Sequence, residues 1–428
     1  MFRFIYSTII FLSILSCTKN NELEIDDSKL TESKAPNILL VIADDMGLDA
    51  TPGYNIGSIK PNMPNLQSMI NTGITFNNVW SNPTCTPTRA TILTGKYGFR
   101  TNITAVGDIL STSEVSLQNY LDTNTNNAYS HAVIGKWHLS NNVTHPIDMG
   151  IDYYAGLLGG GVQSYYNWNL TENGQTITST EYSTTKFTDL AINWVNNQTQ
   201  PWFLWLAYNA PHTPFHLPPN NLHDQGSLPT DQTSIDNNPL PYYIAAIEAM
   251  DTELGRLIAS MSTTERDNTI IIFIGDNGTP NQVAQGYNRR RVKGSIYQGG
   301  VNVPMVISGK NVTRTNQIEN ALINTTDLFA TIADIAGSGT TEINDSKSFR
   351  SLFTNNEESI RNYAYAENDD ISVRNLTHKY IYFDDGSEAF YNLNTDALEE
   401  SNLLNSNLSN SDIAIKNELS SKLLEIRN

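Results

Sequence analysis

The sequence predicts an α/β protein: a sheet sandwiched between helices, followed by a smaller C-terminal subdomain with an antiparallel sheet. Three observations carry this. From Pro36 onward, short apolar runs alternate with amphipathic stretches, the pattern of buried strands and their covering helices. Beyond Gly337 the runs become alternating and are spaced by turn residues, as in an antiparallel sheet. The chain has 428 residues and 39% hydrophobic content, enough for a large core plus an appendage.

Five runs read as buried strands: Asn37–Ala43, His131–Gly135, Trp202–Tyr208, Thr269–Gly275 and Val303–Ser308. Helices are predicted over Met63–Asn71, Pro87–Thr94, Ser116–Thr123, Thr185–Asn196, Pro241–Met261 and Thr326–Ala336. In the helix from Pro241, Ile244, Ile247, Leu254 and Leu257 recur at helical spacing and face a core. The later strands are Arg361–Glu367, Ile371–Asn375, Lys379–Phe383 and Ala389–Leu393, and Ser411–Ile426 reads as a closing helix. The domain boundaries that follow are 36–340 for the larger α/β unit and 341–428 for the subdomain.

Ahead of these lies a leader. Arg3 precedes an apolar run, Phe4–Leu15, that is too short to span a bilayer and has the layout of an export signal over residues 1–16. It ends in Ile14-Leu15-Ser16-Cys17, which resembles a bacterial lipobox with Cys17 as the lipidated residue. Residues 17–35 are polar and read as a flexible tether. The expectation is an exported, membrane-anchored lipoprotein of the periplasm or cell surface, touching the membrane only through the lipid at Cys17. Of two cysteines, lipidation of one leaves Cys85 with no disulfide partner.

The net charge of −18 argues against a nucleic-acid partner, since phosphate binding needs a basic face. Cations do gather at Arg289, Arg290, Arg291 and Lys293. This run reads either as a substrate-binding patch, through Arg290 and Arg291, or equally as ordinary solvated charges.

In open α/β sheets, ligands bind beyond the carboxyl ends of strands. Four predicted strands run there into polar residues: Asp44-Asp45, Lys136-Trp137-His138, Asn209-Ala210-Pro211-His212 and Asp276-Asn277. Singly, each acid is an ordinary turn or cap residue. Together, Asp44, Asp45, Asp276 and Asn277 offer hard oxygen ligands, which suit Ca²⁺ or Mg²⁺ and not zinc. Cys85 opens a predicted helix with Pro87 in its first turn and Gly95 at its stop. A helix N-terminus favours anions, and Arg89 at i+4 folds back over residue 85.

Cys85-x-Pro87-x-Arg89 followed by Leu93-Thr94-Gly95 resembles the signature of the formylglycine sulfatases, which share the alkaline-phosphatase-like fold. The remaining family blocks follow in order: Asn37–Asp45, Gly135-Lys136-Trp137-His138-Leu139, Ala210-Pro211-His212-Thr213-Pro214, Asp276-Asn277-Gly278 and Lys293–Gly300 with Val303-Pro304. Phe390-Tyr391-Asn392-Leu393 matches the usual C-terminal stretch, so the similarity spans about Pro36 to Leu404. Thr88 stands where the signature more often has Ser or Ala, and the Arg289–Arg291 run is not a family constant.

The resemblance implies a sulfatase in which a maturation enzyme oxidises Cys85 to formylglycine. It implies one cation, Ca²⁺ or Mg²⁺, on Asp44, Asp45, Asp276, Asn277 and residue 85. Arg89 and Lys136 would hold the aldehyde hydrate, and His212 and Lys293 would bind sulfate and protonate the leaving alcohol. His138, on the same face of an extended segment as Lys136, would deprotonate the hydroxyl that expels sulfate. The expected substrate is a sulfated polysaccharide or oligosaccharide. The alternatives are a phosphomonoester or phosphonate hydrolase on the same scaffold, and a catalytically dead glycan-binding lipoprotein.

Overall fold

Asn37–Ala43 is completely buried and lies mid-way across a ten-stranded mixed sheet. The computed structural model describes Met1, residues 35–356 and residues 359–428. Cys17 and nearly all of the leader and tether lie outside the described residues. On one side of Asn37–Ala43 come Trp202–Ala207, Ser130–Lys136 and Tyr153–Leu157, all parallel, then the antiparallel hairpin Trp168–Glu172 and Gln175–Ser179. On the other side, Thr269–Gly275 is parallel and Met305–Gly309 antiparallel, followed by Gly73–Phe76 and the edge strand Gln317–Glu319.

Strand alternation splits the apolar residues into two cores, as period two requires. Ile38, Leu40 and Ile42 face one core with helices Cys85–Thr94, Leu117–Thr125 and Asp327–Ile335. Leu39, Val41 and Ala43 face the other with Pro64–Thr72, Ser183–Val195 and Leu240–Ser260. Continuous apolar strands are what a sheet covered on both faces demands.

Register places the site. Ala43 pairs with Gly275, Ile42 with Ala207, and Ala207 with Gly135, so four parallel strands end at one level. The polar residues that follow each strand therefore emerge together. Gly135 makes this close approach feasible: a Cβ there would lie 1.9 Å from the Ala207 carbonyl oxygen.

The C-terminal strands Ala364–Glu367, Ile371–Arg374, His378–Tyr382 and Glu388–Asn392 form an antiparallel sheet, joined by the helix Asn410–Arg427. It is fastened to the larger sheet's layers rather than hung from them. Buried Arg361 holds Asp327 through Nε at 2.8 Å and through a second, shorter bond from Nη2, and donates to Tyr97 Oη at 2.8 Å. Asn324 exchanges two bonds with the Tyr365 backbone. Residues 35–428 form one compact unit across the predicted 340/341 boundary.

The predicted elements are present with small shifts. The strand predicted from Val303 starts at Met305, because Pro304 has no N–H to give to the ladder. The helix predicted from Pro87 starts at Cys85, which leaves Pro87 in the first turn. The hairpin over residues 168–179 was not predicted: Gln175–Ile177 and Thr178 are exposed, so it shows little apolar pattern. Its one legible signal is Asn173-Gly174, with φ of 43° and 82°, a pair that closes hairpins.

Candidate active site

Three aspartates and three fixed cations meet where the strands end. Lys136 Nζ lies 2.5 Å from Asp44 Oδ2, and Lys293 Nζ lies 2.5 Å from Asp45 Oδ2. Arg89 Nη2 donates to Asp276 Oδ2 at 2.8 Å, and its Nη1 to the Lys136 carbonyl at 2.7 Å. Arg89 thus ties the end of one strand to the end of another. Asp45 adopts a left-handed φ of 71°, uncommon outside glycine and held here by its surroundings. Its N–H donates to Asp276 Oδ1 at 3.1 Å, and its carbonyl accepts from Tyr243 Oη at 2.8 Å.

Cys85 is 2% exposed at the first turn of its helix. Its Sγ lies 3.2 Å from His138 Nδ1 and within 4.8 Å of Asp44 and Asp276 oxygens. Burial pushes the thiol pKa up, Lys136 opposes the rise, and the charges of Asp44, Asp276 and Asp45 add to it; the thiol stays protonated near neutrality. Burial, then Lys136 and Arg89, push His138 down to about 2, so its imidazole is neutral. Burial alone would raise Asp44, yet Lys136, His212 and Arg89 hold it below the usual range. Asp276 is raised, first by burial and then by the charge of Asp44.

His212 sits in a turn whose Ala210–Pro211 and Thr213–Pro214 bonds are both cis. Its Nδ1 donates to the Thr213 carbonyl at 2.7 Å, which leaves Nε2 facing Asp45 Oδ2 at 3.7 Å. The His212 carbonyl accepts from Tyr165 Oη at 2.6 Å.

These residues form an acceptor set fit for a hard divalent cation. The buried Oδ1 atoms of Asp44 and Asn277 have no hydrogen-bond partner among the described residues. Asn277 Nδ2 donates to Asp45 Oδ1 at 2.8 Å, which fixes its amide with the carbonyl oxygen free. Oxygen acceptors without donors, beside carboxylates, match Ca²⁺ or Mg²⁺ chemistry.

Two sequence-derived assignments change. Lys136 and His138 were expected on one face of an extended segment, but the chain turns at His138, with φ of 57°. That turn, not strand alternation, brings the imidazole to Cys85. Arg291 was read either as a substrate contact or as a solvated charge; its guanidinium instead binds the Glu399 carbonyl and lies 4.3 Å over the Tyr297 ring. It braces the loop against the C-terminal sheet. Arg289 and Arg290 are exposed.

Sequence reasoning missed Tyr165, Tyr243 and the run Gly159-Gly160-Gly161. The run lies against both histidines: a Cβ on Gly160 would meet His138 Nε2 at 2.4 Å, and one on Gly161 would meet His212 Cε1 at 3.3 Å. Three successive glycines after a strand were the available signal.

A buried nucleophile position among carboxylates and cationic side chains, at the ends of four parallel strands, is suited to hydrolysis of an anionic ester. The chain belongs to the sulfatase family, the sulfuric ester hydrolases, whose model matches residues 36–338. It is 27% identical over 390 residues to the uncharacterized sulfatase YdeN of Escherichia coli (strain K12), covering 75% of this chain and 66% of that protein. It is 25% identical over 411 residues to an arylsulfatase of Klebsiella aerogenes, covering 72% of this chain and 88% of that one. Among solved structures, Ps i-CgsB in complex with k-i-k-neocarrahexaose superposes with a TM-score of 0.77 at 25% identity, covering 92% of each chain.

Proposed function

We propose that this protein hydrolyses sulfate esters on a sulfated oligosaccharide or polysaccharide, with residue 85 as formylglycine and one divalent cation. The observation that carries the reading is the placement of Cys85 Sγ, 3.2 Å from a neutral His138 and beside Asp44 and Asp276. The oligosaccharide bound by the similar Ps i-CgsB supports the substrate class.

Charge bookkeeping supports an anionic ester. Asp44, Asp45 and Asp276 are balanced by Arg89, Lys136 and Lys293. A divalent cation on Asp44, Asp45, Asp276 and Asn277 leaves an excess of positive charge for a sulfate monoester, and supplies Lewis acidity toward a sulfate oxygen. As formylglycine, residue 85 would supply a hydrated aldehyde, whose two hydroxyls would provide both a nucleophile toward sulfur and a means of expelling sulfate. The unmodified thiol is a poor nucleophile here, since burial keeps it protonated.

The chain's own groups divide the remaining work. His138 Nδ1 accepts a proton at residue 85, a task for a neutral imidazole. Lys293 and His212 Nε2 face the same Asp45 oxygen and stand ready to bind sulfate and protonate the leaving alcohol. Arg89 orients Asp276 and the strand end carrying Lys136.

A two-metal phosphatase needs a second cluster. Among the described residues, the other His-containing candidate is His131 with Asp122 and Asp152. His131 Nδ1 accepts the Asp152 N–H at 3.3 Å, so Nε2 carries the proton and donates to Asp122 at 3.1 Å. Both ring nitrogens of His131 are thus engaged within the protein.

The test pairs intact-protein mass spectrometry with sulfate release from sulfated saccharides. Active protein shows the formylglycine mass at residue 85, and Cys85→Ala releases no sulfate. Full turnover by Cys85→Ala overturns the reading.

A further inference from the structure

Beyond the glycine run lies a cavity of about 630 Å³, within the size range of small-molecule sites. Gly159 and Gly161 line it, and the same backbone rests on His138 and His212 through Gly160 and Gly161. The cavity is therefore one backbone thickness from the two histidines.

Its far wall is the edge hairpin. Trp168 and Leu170 turn into the core, and Asn169 points the other way. Asn169 pairs with Thr178 across the hairpin, and Thr171 with Thr176, which puts amide and hydroxyl groups side by side along one surface. Asn141, Gln163 and Asn167 complete the polar lining. The lining contains no Asp, Glu, Lys or Arg, although the chain carries 44 acidic and 26 basic residues. Among the described residues, the side-chain amides of Asn141, Gln163, Asn167 and Asn169 have no hydrogen-bond partner. Neutral donors and acceptors held in a concave wall match the hydroxyls of an uncharged sugar. A second sulfate or a carboxylate would find no counter-charge there.

We propose that this cavity is a subsite for an unsulfated sugar unit of the substrate, adjoining the unit that carries the sulfate. The assignment rests on the glycan-sulfatase reading above, and it locates neutral-sugar recognition in the hairpin rather than in the Arg289–Arg291 run.

The test uses Asn169→Ala and Gln163→Ala, both at exposed positions. Three substrates are compared: nitrophenyl sulfate, galactose monosulfate, and a trisaccharide in which that sulfated galactose carries two unsulfated sugars. Loss of a neutral hydrogen bond raises the trisaccharide KM by about 2- to 10-fold in each variant, with kcat kept. Nitrophenyl sulfate and galactose monosulfate kinetics stay unchanged. An independent arm measures saturation-transfer NMR on Cys85→Ala protein with chemically desulfated trisaccharides ending in galactose, fucose or N-acetylglucosamine. Transfer to at least one, lost in the double variant, supports the subsite whether or not any sulfate ester is turned over. Transfer without turnover of any sulfate ester by the unsubstituted enzyme sinks the function and leaves the subsite standing. Equal effects on all three substrates, an unchanged trisaccharide KM, or no transfer from any desulfated trisaccharide overturns the subsite.

Discussion

Replacing Gly160 by alanine adds a single carbon, and the structure says where it goes. That Cβ would lie 2.4 Å from His138 Nε2 and 2.5 Å from Cε1. An unstrained carbon contact needs about 3.5 Å, so ring and loop must part by roughly 1 Å. Backbone strain does not confuse the result, since Gly159, Gly160 and Gly161 all lie outside the left-handed region. The His138 backbone is held by its N–H bond to the Leu158 carbonyl at 3.0 Å, so the clash falls on the ring and disturbs the 3.2 Å approach of Nδ1 to Cys85 Sγ. A displacement of that size at a catalytic base costs about 100-fold in rate, or about 2.7 kcal/mol. The neighbours supply a graded control. Gly161→Ala meets His212 at 3.3 Å and calls for a few tenths of an ångström, while Gly159→Ala meets Asn141 Oδ1 at 3.5 Å, an ordinary contact. Steady-state kinetics on nitrophenyl sulfate should rank kcat as Gly159→Ala, then Gly161→Ala, then Gly160→Ala, with matched thermal unfolding and confirmed maturation at residue 85. A Gly160→Ala enzyme with native kcat refutes the placement of His138 as the base.

Other outcomes follow from the same geometry. Metal analysis of purified protein should find about one Ca²⁺ or Mg²⁺ per chain and no zinc, and chelation should abolish turnover reversibly; two bound zinc ions would contradict the site. Arg291→Ala should lower the unfolding midpoint, because it strips the Glu399 and Tyr297 contacts, whereas exposed Arg290→Ala should leave it unchanged; equal midpoints for both would return Arg291 to the solvent. Burial lowers His216 to about 4, so the unfolded chain binds more protons between about pH 6.5 and 4. Its stabilising contribution is complete above about pH 6.5 and is lost as pH falls toward 4; denaturant titrations of His216→Gln should show a flatter acid limb, and an unaltered limb would exclude it.

The layered α/β architecture is legible in the sequence because a sheet buried on both faces needs uninterrupted apolar strands, and Asn37–Ala43 and Thr269–Gly275 are bounded as predicted. The gathering of Asp44, Asp45, Asp276 and Asn277 beside Cys85 is legible for a related reason: strand ends and helix starts mark where polar side chains must emerge. What escapes the sequence is contact across distance. Nothing local to Arg291 distinguishes a guanidinium that reaches Glu399 from one that reaches substrate. Tyr165 and Tyr243 act through hydroxyls on the carbonyls of His212 and Asp45, and a tyrosine in an apolar segment looks like any core aromatic. The left-handed turn at His138 is equally silent, because it depends on the neighbouring strand's Leu158 carbonyl.

The depth of Cys85 sets a clock. Its enclosure needs Asp276, and these positions are 191 residues apart in the numbering, 276 − 85. At about 5–20 residues per second, chain synthesis takes roughly 10–40 s to cover that interval. Until then the strand that closes the sheet beside Asn37–Ala43 does not exist, and Cys85 stays within reach of another protein. Once Thr269–Gly275 has paired, the thiol is walled in. If residue 85 is oxidised as proposed, its 2% exposure in the folded chain would confine that step to the nascent or unfolded chain.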